Sequence, residues 1–137
     1  MNIEVAFVDG PIVVPAKQFH SREVGALVEF HGIVREMEGA SALSALWYEA
    51  YETMARREFG RMFPELSARH PVQDVLVIHR IGRVPVGEAS LYVRVMAKHR
   101  GQALSFCGEL IDWMKKNVPI WKTALADDPS PPGCVTR

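Results

Sequence analysis

The sequence predicts an α+β protein in which two main helices pack on one face of a mixed, mostly antiparallel sheet. Three observations favour this class. Five short stretches have the apolar density of strands, two longer stretches repeat their apolar residues at helical spacing, and each helical stretch follows a group of strands. The 137 residues, 48% of them hydrophobic and 23% charged, suit a single core. We therefore expect one folded domain over residues 1–125.

The first half of the chain predicts three strands. Residues 3–8 (IEVAFV) form the first strand and end at the turn signal DGP. Residues 25–36 (GALVEFHGIVRE) have the Val and Phe content of a strand, and Gly32 in their middle predicts a bulge or a close backbone approach. After a polar loop over residues 36–42, the stretch 43–51 (LSALWYEAY) is the third strand.

The second half predicts a helix, two strands and a second helix. Residues 52–70 are amphipathic with helical period, and Pro64 should kink or break that helix. Residues 72–82 (VQDVLVIHRIG) and 89–99 (ASLYVRVMAKH) are strands, and residues 101–117 form the second long helix.

The ends of the chain and its charge restrict location and partners. Residues 126–137 are polar and proline-rich, so we expect a disordered tail. The N-terminus lacks a basic segment followed by a long apolar run, and no stretch approaches the roughly 18 apolar residues of a membrane helix. Sixteen basic residues balance sixteen acidic ones, which disfavours nucleic acid and membrane surfaces as partners. These features predict a soluble cytoplasmic protein, and any anion site in it must be local.

The faces of the second helix separate its two lysines. At 100° per residue, six apolar residues fall on one arc of about 120°, namely Ala103, Leu104, Cys107, Leu110, Ile111 and Met114. Lys115 borders this arc and should be half-buried, whereas Lys116 points about 100° further round into solvent. Interaction with the negative end of the helix dipole is the ordinary explanation for Lys115.

Other cations stand where an anion could bind. His99 and Arg100 lie between a strand and a helix start, where free backbone N–H groups and an arginine suit phosphate or carboxylate. Plain surface residues remain the alternative for this pair, as for Lys122, which follows the rigid sequence PIW. Arg35 comes shortly after a glycine that would let a ligand approach closely. The pair in VIHRIG is more typical of structural residues, and no histidine or cysteine spacing predicts a metal site.

Five blocks of the sequence, in order between about residue 25 and residue 122, resemble the catalytic (large) subunit of molybdopterin synthase. They are GALVEFHGIVRE, WYEAY followed by Met54, VIHRIG with VGE, AKHR, and MKKNVPIWK. The resemblance implies an α/β hammerhead fold and a homodimer. It also implies a small ubiquitin-like sulfur-carrier subunit docked at each end of the homodimer, which gives a heterotetramer.

The same resemblance implies a sulfurtransferase without a cofactor. Such enzymes insert two sulfur atoms into cyclic pyranopterin monophosphate and form the molybdopterin dithiolene. The sulfur comes from a thiocarboxylate on the partner's C-terminal Gly-Gly tail. The resemblance makes Lys115 the central catalytic residue and Lys122 its assistant. Four further positions would bind substrate: Phe30, Arg35, His99 and Arg100.

The chemistry of this reaction agrees with the cations found from the residues alone. Substrate and tail are both anionic, so a pocket of several cations would bring together two groups that repel each other. We expect all five cations in that one pocket. Ala124 stands where such proteins commonly carry an acidic residue. The alternative is therefore a non-catalytic subunit that binds the tail of a ubiquitin-like sulfur carrier.

Overall fold

The computed structural model describes residues 2–16, 22–38 and 41–125, so the tail predicted to be disordered lies outside the described residues. Ten elements follow one another: β1 (Asn2–Asp9), β2 (Ala26–Ile33), β3 (Met37–Glu38), β4 (Ser41–Ala42), β5 (Ala45–Ala50), α1 (Glu52–Arg69), β6 (Asp74–Pro85), β7 (Ala89–Ala97), α2 (Arg100–Asn117) and β8 (Ile120–Leu125). Neither helix in these ranges is long and apolar enough to cross a membrane.

Six strands form one sheet in the order β2-β7-β6-β5-β8, with β1 also paired to β6. The β1–β6 pair is parallel and the other pairs are antiparallel. The predicted mixed, mostly antiparallel sheet is therefore confirmed. Strand β6 is long enough to serve two neighbours on one side, because its residues 74–81 pair with β1 and its residues 82–85 pair with β5.

Both helices pack on the same face of the sheet. Alternate residues of β6 and β7, such as Val77 and Val93, join one apolar cluster with Phe59 of α1 and Phe106 of α2. The residues between them point to the other face, where a second cluster contains Leu76, Ile78 and Tyr92. This alternation follows from the period of two in a strand.

Helix α1 continues through Pro64, so the helix does not break there as the sequence allowed. An interior proline removes one backbone hydrogen bond and costs about 3 kcal/mol. On both sides of Pro64, however, Phe63 and Leu66 are buried to 3% and 0% exposure. Each such side chain contributes about 1.5–3 kcal/mol on burial, so packing outweighs the local cost.

Helix α2 presents a core face that is rotated from the predicted one. Leu104 was expected in the core but is 57% exposed, whereas Phe106 is fully buried. Four predicted core residues are buried, namely Ala103, Cys107, Leu110 and Met114. Their mean direction, taken with Phe106, lies about 45° from the centre of the predicted arc at 100° per residue. The same rotation explains why Lys115, expected to be half-buried, is exposed.

Two short features complete the fold. A register shift between Gly32 and Ile33 confirms the predicted bulge. The predicted polar loop contains a small hairpin, in which Met37 pairs with Ala42. The strand β8 was absent from the predicted order of elements, and it pairs along its whole length with β5.

Candidate active site

A cavity of about 600 Å³ opens between the C-terminal turn of α2 and strands β2, β5 and β8. Its cationic side chains are Arg35, Lys115 and Lys122. The other lining residues are Phe30, His31, Gly32, Ile33, Val34, Leu46, Tyr48, His79, Ser90, Leu91, Ile111, Met114, Ile120 and Trp121. A volume of this size suits a small molecule, since binding sites for such ligands span about 300–1,000 Å³.

Two lysines come to the cavity from either side of a very short connection. Lys115 lies in the last turn of α2, and Lys122 is the third residue of β8. Between these elements, the N–H of Val118 donates to the Met114 carbonyl at 3.1 Å, and the N–H of Tyr51 donates to the Pro119 carbonyl at 3.1 Å. The connection is thus anchored both to its own helix and to the end of β5.

Arg35 reaches the cavity from the chain that leaves β2. The preceding residue, Val34, is only 4% exposed. Its N–H donates to the Glu88 carbonyl at 3.0 Å, and its own carbonyl accepts from Gly87 at 2.9 Å. This pair of bonds ties the exposed Arg35 to the turn between β6 and β7. Phe30, which is 37% exposed, precedes the bulge on β2.

Aromatic and apolar side chains form the rest of the wall. Trp121 is 41% exposed, and its ring meets that of Tyr51 edge-on at 5.1 Å. Met114 is buried at the C-terminal end of α2, and Phe30 lines the cavity with both. Faces of this kind can hold a flat heterocyclic ring while the cations hold its charged substituents.

His79 of β6 also lines the cavity. Its Nδ1 lies 2.8 Å from the Arg80 carbonyl oxygen, and its ring meets the Tyr48 ring edge-on at 5.1 Å. Burial lowers the pKa of His79, and the backbone bond to Arg80 opposes that shift. The imidazole is therefore held neutral in a fixed orientation at neutral pH.

The charge of the cavity differs from that of the whole chain. Two lysines and an arginine line it, and none of the lining residues found in the described ranges carries a carboxylate. The chain as a whole has a formal net charge of zero. The cavity is therefore a local group of positive side chains in a protein that is neutral overall. Within residues 2–16, 22–38 and 41–125, no group of three or more His, Cys, Asp and Glu side chains could hold a metal.

His99 and Arg100 do not line this cavity, which corrects the expectation that all five cations share one pocket of the chain. His99 is the exposed N-cap of α2, and Arg100 begins the helix. Fifteen residues separate Arg100 from Lys115, which corresponds to about 22 Å along a helix at 1.5 Å per residue. The two ends of α2 thus present separate groups of cations.

Sequence reasoning did not assign a functional place to His79 or Tyr48. The signal for His79 was present, because it has the same parity along β6 as the core residues Val75 and Val77. The sequence did not show that the cavity opens on the face of the sheet to which these residues of β6 point. For Tyr48, the missing information was the register between β5 and β8.

The chain is similar in sequence to proteins of known families. The sequence profile of the family described as MoaE protein matches residues 9–117. The molybdopterin synthase catalytic subunit of Oryza sativa subsp. indica is 40% identical over 111 residues, which are 80% of this chain and 58% of that protein. The catalytic subunit from Pyrococcus abyssi is 41% identical over 108 residues, covering 79% of this chain and 73% of its relative. The chain thus spans less than two thirds of the rice protein.

Solved structures agree with the fold. Molybdopterin synthase from Staphylococcus aureus superposes with a TM-score of 0.77 at 29% identity, covering 89% of this chain and 90% of that one. A complex of subunits 1 and 2 of the molybdopterin-converting factor from Helicobacter pylori contains a chain with a TM-score of 0.66 at 28% identity. That match covers 77% of this chain and 69% of its counterpart.

Proposed function

The chain belongs to the MoaE protein family, and from this premise we propose that it is the catalytic subunit of a molybdopterin synthase. It transfers sulfur from the thiocarboxylate of a small ubiquitin-like subunit to cyclic pyranopterin monophosphate, and the product carries the dithiolene of molybdopterin. One observation carries this proposal: Arg35, Lys115 and Lys122 line a single cavity that also has aromatic walls.

The cations would offset the repulsion between two anionic reactants. Two unit charges 4 Å apart near a protein surface repel by about 4 kcal/mol. A cavity with three positive side chains replaces that repulsion with attraction for both the substrate phosphate and the thiocarboxylate. The absence of a lining carboxylate among the described residues favours anions further.

Each cavity residue has a proposed role. Lys115 does the proton or acyl work as sulfur attacks the pterin side chain. Lys122 and Arg35 stabilise the negative charge that develops during this attack. Phe30 packs against the substrate ring at the cavity wall.

His99 and Arg100 keep their proposed role in binding the substrate phosphate or pterin ring. Because about 22 Å of helix separates them from Lys115, one copy of the chain cannot supply both groups to one small substrate. In the homodimer that we propose, the His99–Arg100 pair of one copy therefore completes the cavity of the other.

The proposed partner is a small sulfur-carrier subunit with a Gly-Gly tail, bound at each end of the homodimer. The complex of subunits 1 and 2 of the Helicobacter pylori converting factor supports a second subunit as partner. We further propose that residues 1–125 act as one catalytic domain and that the enzyme works in the cytoplasm, where it needs neither nucleic acid nor membrane.

A reconstituted reaction tests the proposal. The purified chain is mixed with thiocarboxylated carrier and cyclic pyranopterin monophosphate, and the dithiolene product is measured by mass spectrometry. A carrier that ends in an ordinary carboxylate is the matched control, and we expect product only with the thiocarboxylate. Binding of the carrier without any product would instead identify a non-catalytic subunit that binds the tail.

A further inference from the structure

His79 is the one histidine of the described residues that combines burial with a place on the cavity wall. It is 6% exposed, and it lies near the end of the part of β6 that pairs with β7. The rings of Tyr48 and Phe7 adjoin it, at 5.1 Å and 6.5 Å between centroids. Such packing fixes the plane of the imidazole, so the ring cannot turn to exchange its two nitrogens.

The backbone contact of His79 determines its tautomer. A carbonyl oxygen only accepts hydrogen bonds, so the 2.8 Å contact with the Arg80 carbonyl requires a proton on Nδ1. The neutral ring then has an unprotonated Nε2 on its opposite edge. Nε2 is therefore the ring nitrogen that this backbone bond leaves unused, and His79 itself lines the cavity. Burial keeps the ring in this neutral form by lowering the pKa of His79.

The proposed reaction contains a step that needs such a base. When the thiocarboxylate sulfur bonds to a pterin carbon, the sulfur is still attached to the acyl carbon of the carrier tail. The product is then a thioester, and the carrier leaves only when the acyl–sulfur bond is cleaved. Water is the simplest acceptor for the acyl group, and a neutral base makes water a better nucleophile.

On the basis of the proposed function, we propose that His79 is the general base that activates this water. Nε2 takes a proton from water as its oxygen bonds to the acyl carbon. The bond between the acyl carbon and sulfur then breaks, and sulfur leaves on the pterin with the electron pair. The tail becomes a carboxylic acid, which ionises to a carboxylate and releases its proton to solvent. The imidazolium afterwards returns its proton to the thiolate or to solvent, so no oxidant or reductant is needed.

The charges around His79 favour this assignment. Five other titratable or charged side chains line the cavity with His79. They are His31 of β2, Arg35 just after β2, Tyr48 of β5, Lys115 of α2 and Lys122 of β8. The three cations among them attract the anionic carrier tail to the cavity that His79 lines. They also favour a thiolate as leaving group.

Two variants test the base directly. His79→Asn keeps a donor for the Arg80 carbonyl, and His79→Gln places an amide where Nε2 stood, yet neither amide can act as a base. In single-turnover reactions we expect cleavage of the thioester to slow about 10²- to 10⁴-fold. The carrier–pterin adduct should then accumulate and be visible by mass spectrometry of the intact carrier. A merely structural histidine would lower the yield of adduct and product together.

The wild-type enzyme gives an independent test that does not depend on how a variant folds. As the pH increases toward 6.5, the rate constant for decay of the adduct should rise with a single ionisation. The reason is that His79 must lose its proton to act as a base, and its pKa is lowered from the ordinary 6.5. The rate constant should be flat from about pH 7 to 8. Unchanged adduct decay in both folded variants would overturn the role of His79. Absence of both adduct and product in wild type would instead contradict the proposed function.

Discussion

Lys122 lies directly opposite Tyr48 in the antiparallel pairing of β8 with β5. Residues opposite each other in such a pair point to the same face of the sheet. Both side chains therefore reach the cavity, and the ring of Tyr48 in turn meets the ring of His79. A shift of one residue in this register would turn Lys122 to the other face. The position of the second lysine is thus fixed by strand pairing, and the rigid PIW sequence only begins that strand.

Neighbouring lysines of α2 should differ sharply in function. Lys115 lines the cavity, whereas Lys116 is exposed and absent from its lining. We expect Lys115→Ala to lower turnover at least 10³-fold in the reconstituted reaction, as removal of a covalent or proton-transfer group does. Lys116→Ala is the matched control and should stay within twofold of wild type. Both lysines are exposed, so neither change should shift the melting temperature much. Equal losses of activity would contradict the assignment of Lys115 to the site.

Mixed homodimers should recover activity that neither parent has. One variant carries Lys115→Ala and the other carries His99→Ala with Arg100→Ala. When the two variants are unfolded together and refolded, about half of the dimers should contain one copy of each. If the His99–Arg100 pair acts across the dimer, each mixed dimer should have one intact site. We expect up to about a quarter of wild-type activity.

The control for this experiment is a mixture of two Lys115→Ala preparations treated in the same way, which should stay inactive. A mixture of the two different variants that remains inactive, although it forms dimers, would show that the pair does not act across the dimer.

A glycine before β2 should be essential to the sheet. A Cβ added at Gly25 would lie 2.2 Å from the Lys98 carbonyl oxygen, which is backbone and cannot move alone. The N–H of Gly25 also donates to the Ala97 carbonyl at 3.0 Å. We expect Gly25→Ala to lower the free energy of unfolding by about 1–3 kcal/mol, the usual cost of overpacking.

A second glycine provides the control for that measurement. A Cβ at Gly60 of α1 would meet nothing within 4 Å, and alanine is the better helix former by about 0.5–1 kcal/mol. Gly60→Ala should therefore raise the urea midpoint, while Gly25→Ala lowers it. Changes in the same direction would contradict the steric argument.

Sequence reasoning worked where an element carries its own period. The strands around Val77 and Val93 and the two helices were predicted because their apolar residues repeat locally over many positions. Sequence reasoning failed where the structure depends on packing between residues that are far apart in the sequence. The packing of Phe63 and Leu66 keeps α1 helical past its proline. In α2, the elements that the helix packs against determine that Phe106 is buried and Leu104 is exposed.

The site divides in the same way. Arg35, Lys115, Lys122 and Phe30 were predicted on local grounds or by resemblance, and all four line the cavity. The distance between the two ends of α2 follows from the length of the helix alone. The separation of the His99–Arg100 pair from Lys115 could therefore have been predicted from the sequence. The place of β8 beside β5 was not, because that pairing joins segments about 75 residues apart with no local signal for the register.

Alkaline pH should destabilise the protein through Tyr92. Its ring is fully buried, and its hydroxyl donates to Glu29 at 2.6 Å. Burial first, and then the bond to Glu29, raises the pKa of Tyr92 to about 12 from an ordinary 10.0. Below pH 10 both folded and unfolded states keep the proton. Between pH 10 and 12 the unfolded state releases it while the folded state does not, so the free energy of unfolding should fall across that range.

Two tyrosine variants separate this effect from general alkaline denaturation. Tyr92→Phe should lower the free energy of unfolding by about 1.5–3 kcal/mol at neutral pH, because it loses a hydrogen bond to a carboxylate. Between pH 10 and 12, however, its free energy of unfolding should fall less steeply than that of wild type. Tyr51→Phe is the control, because Tyr51 is 62% exposed and should leave the wild-type slope unchanged. Urea unfolding at half-unit pH steps measures all three slopes. Equal slopes for wild type and Tyr92→Phe would show that the buried hydroxyl does not retain its proton as argued.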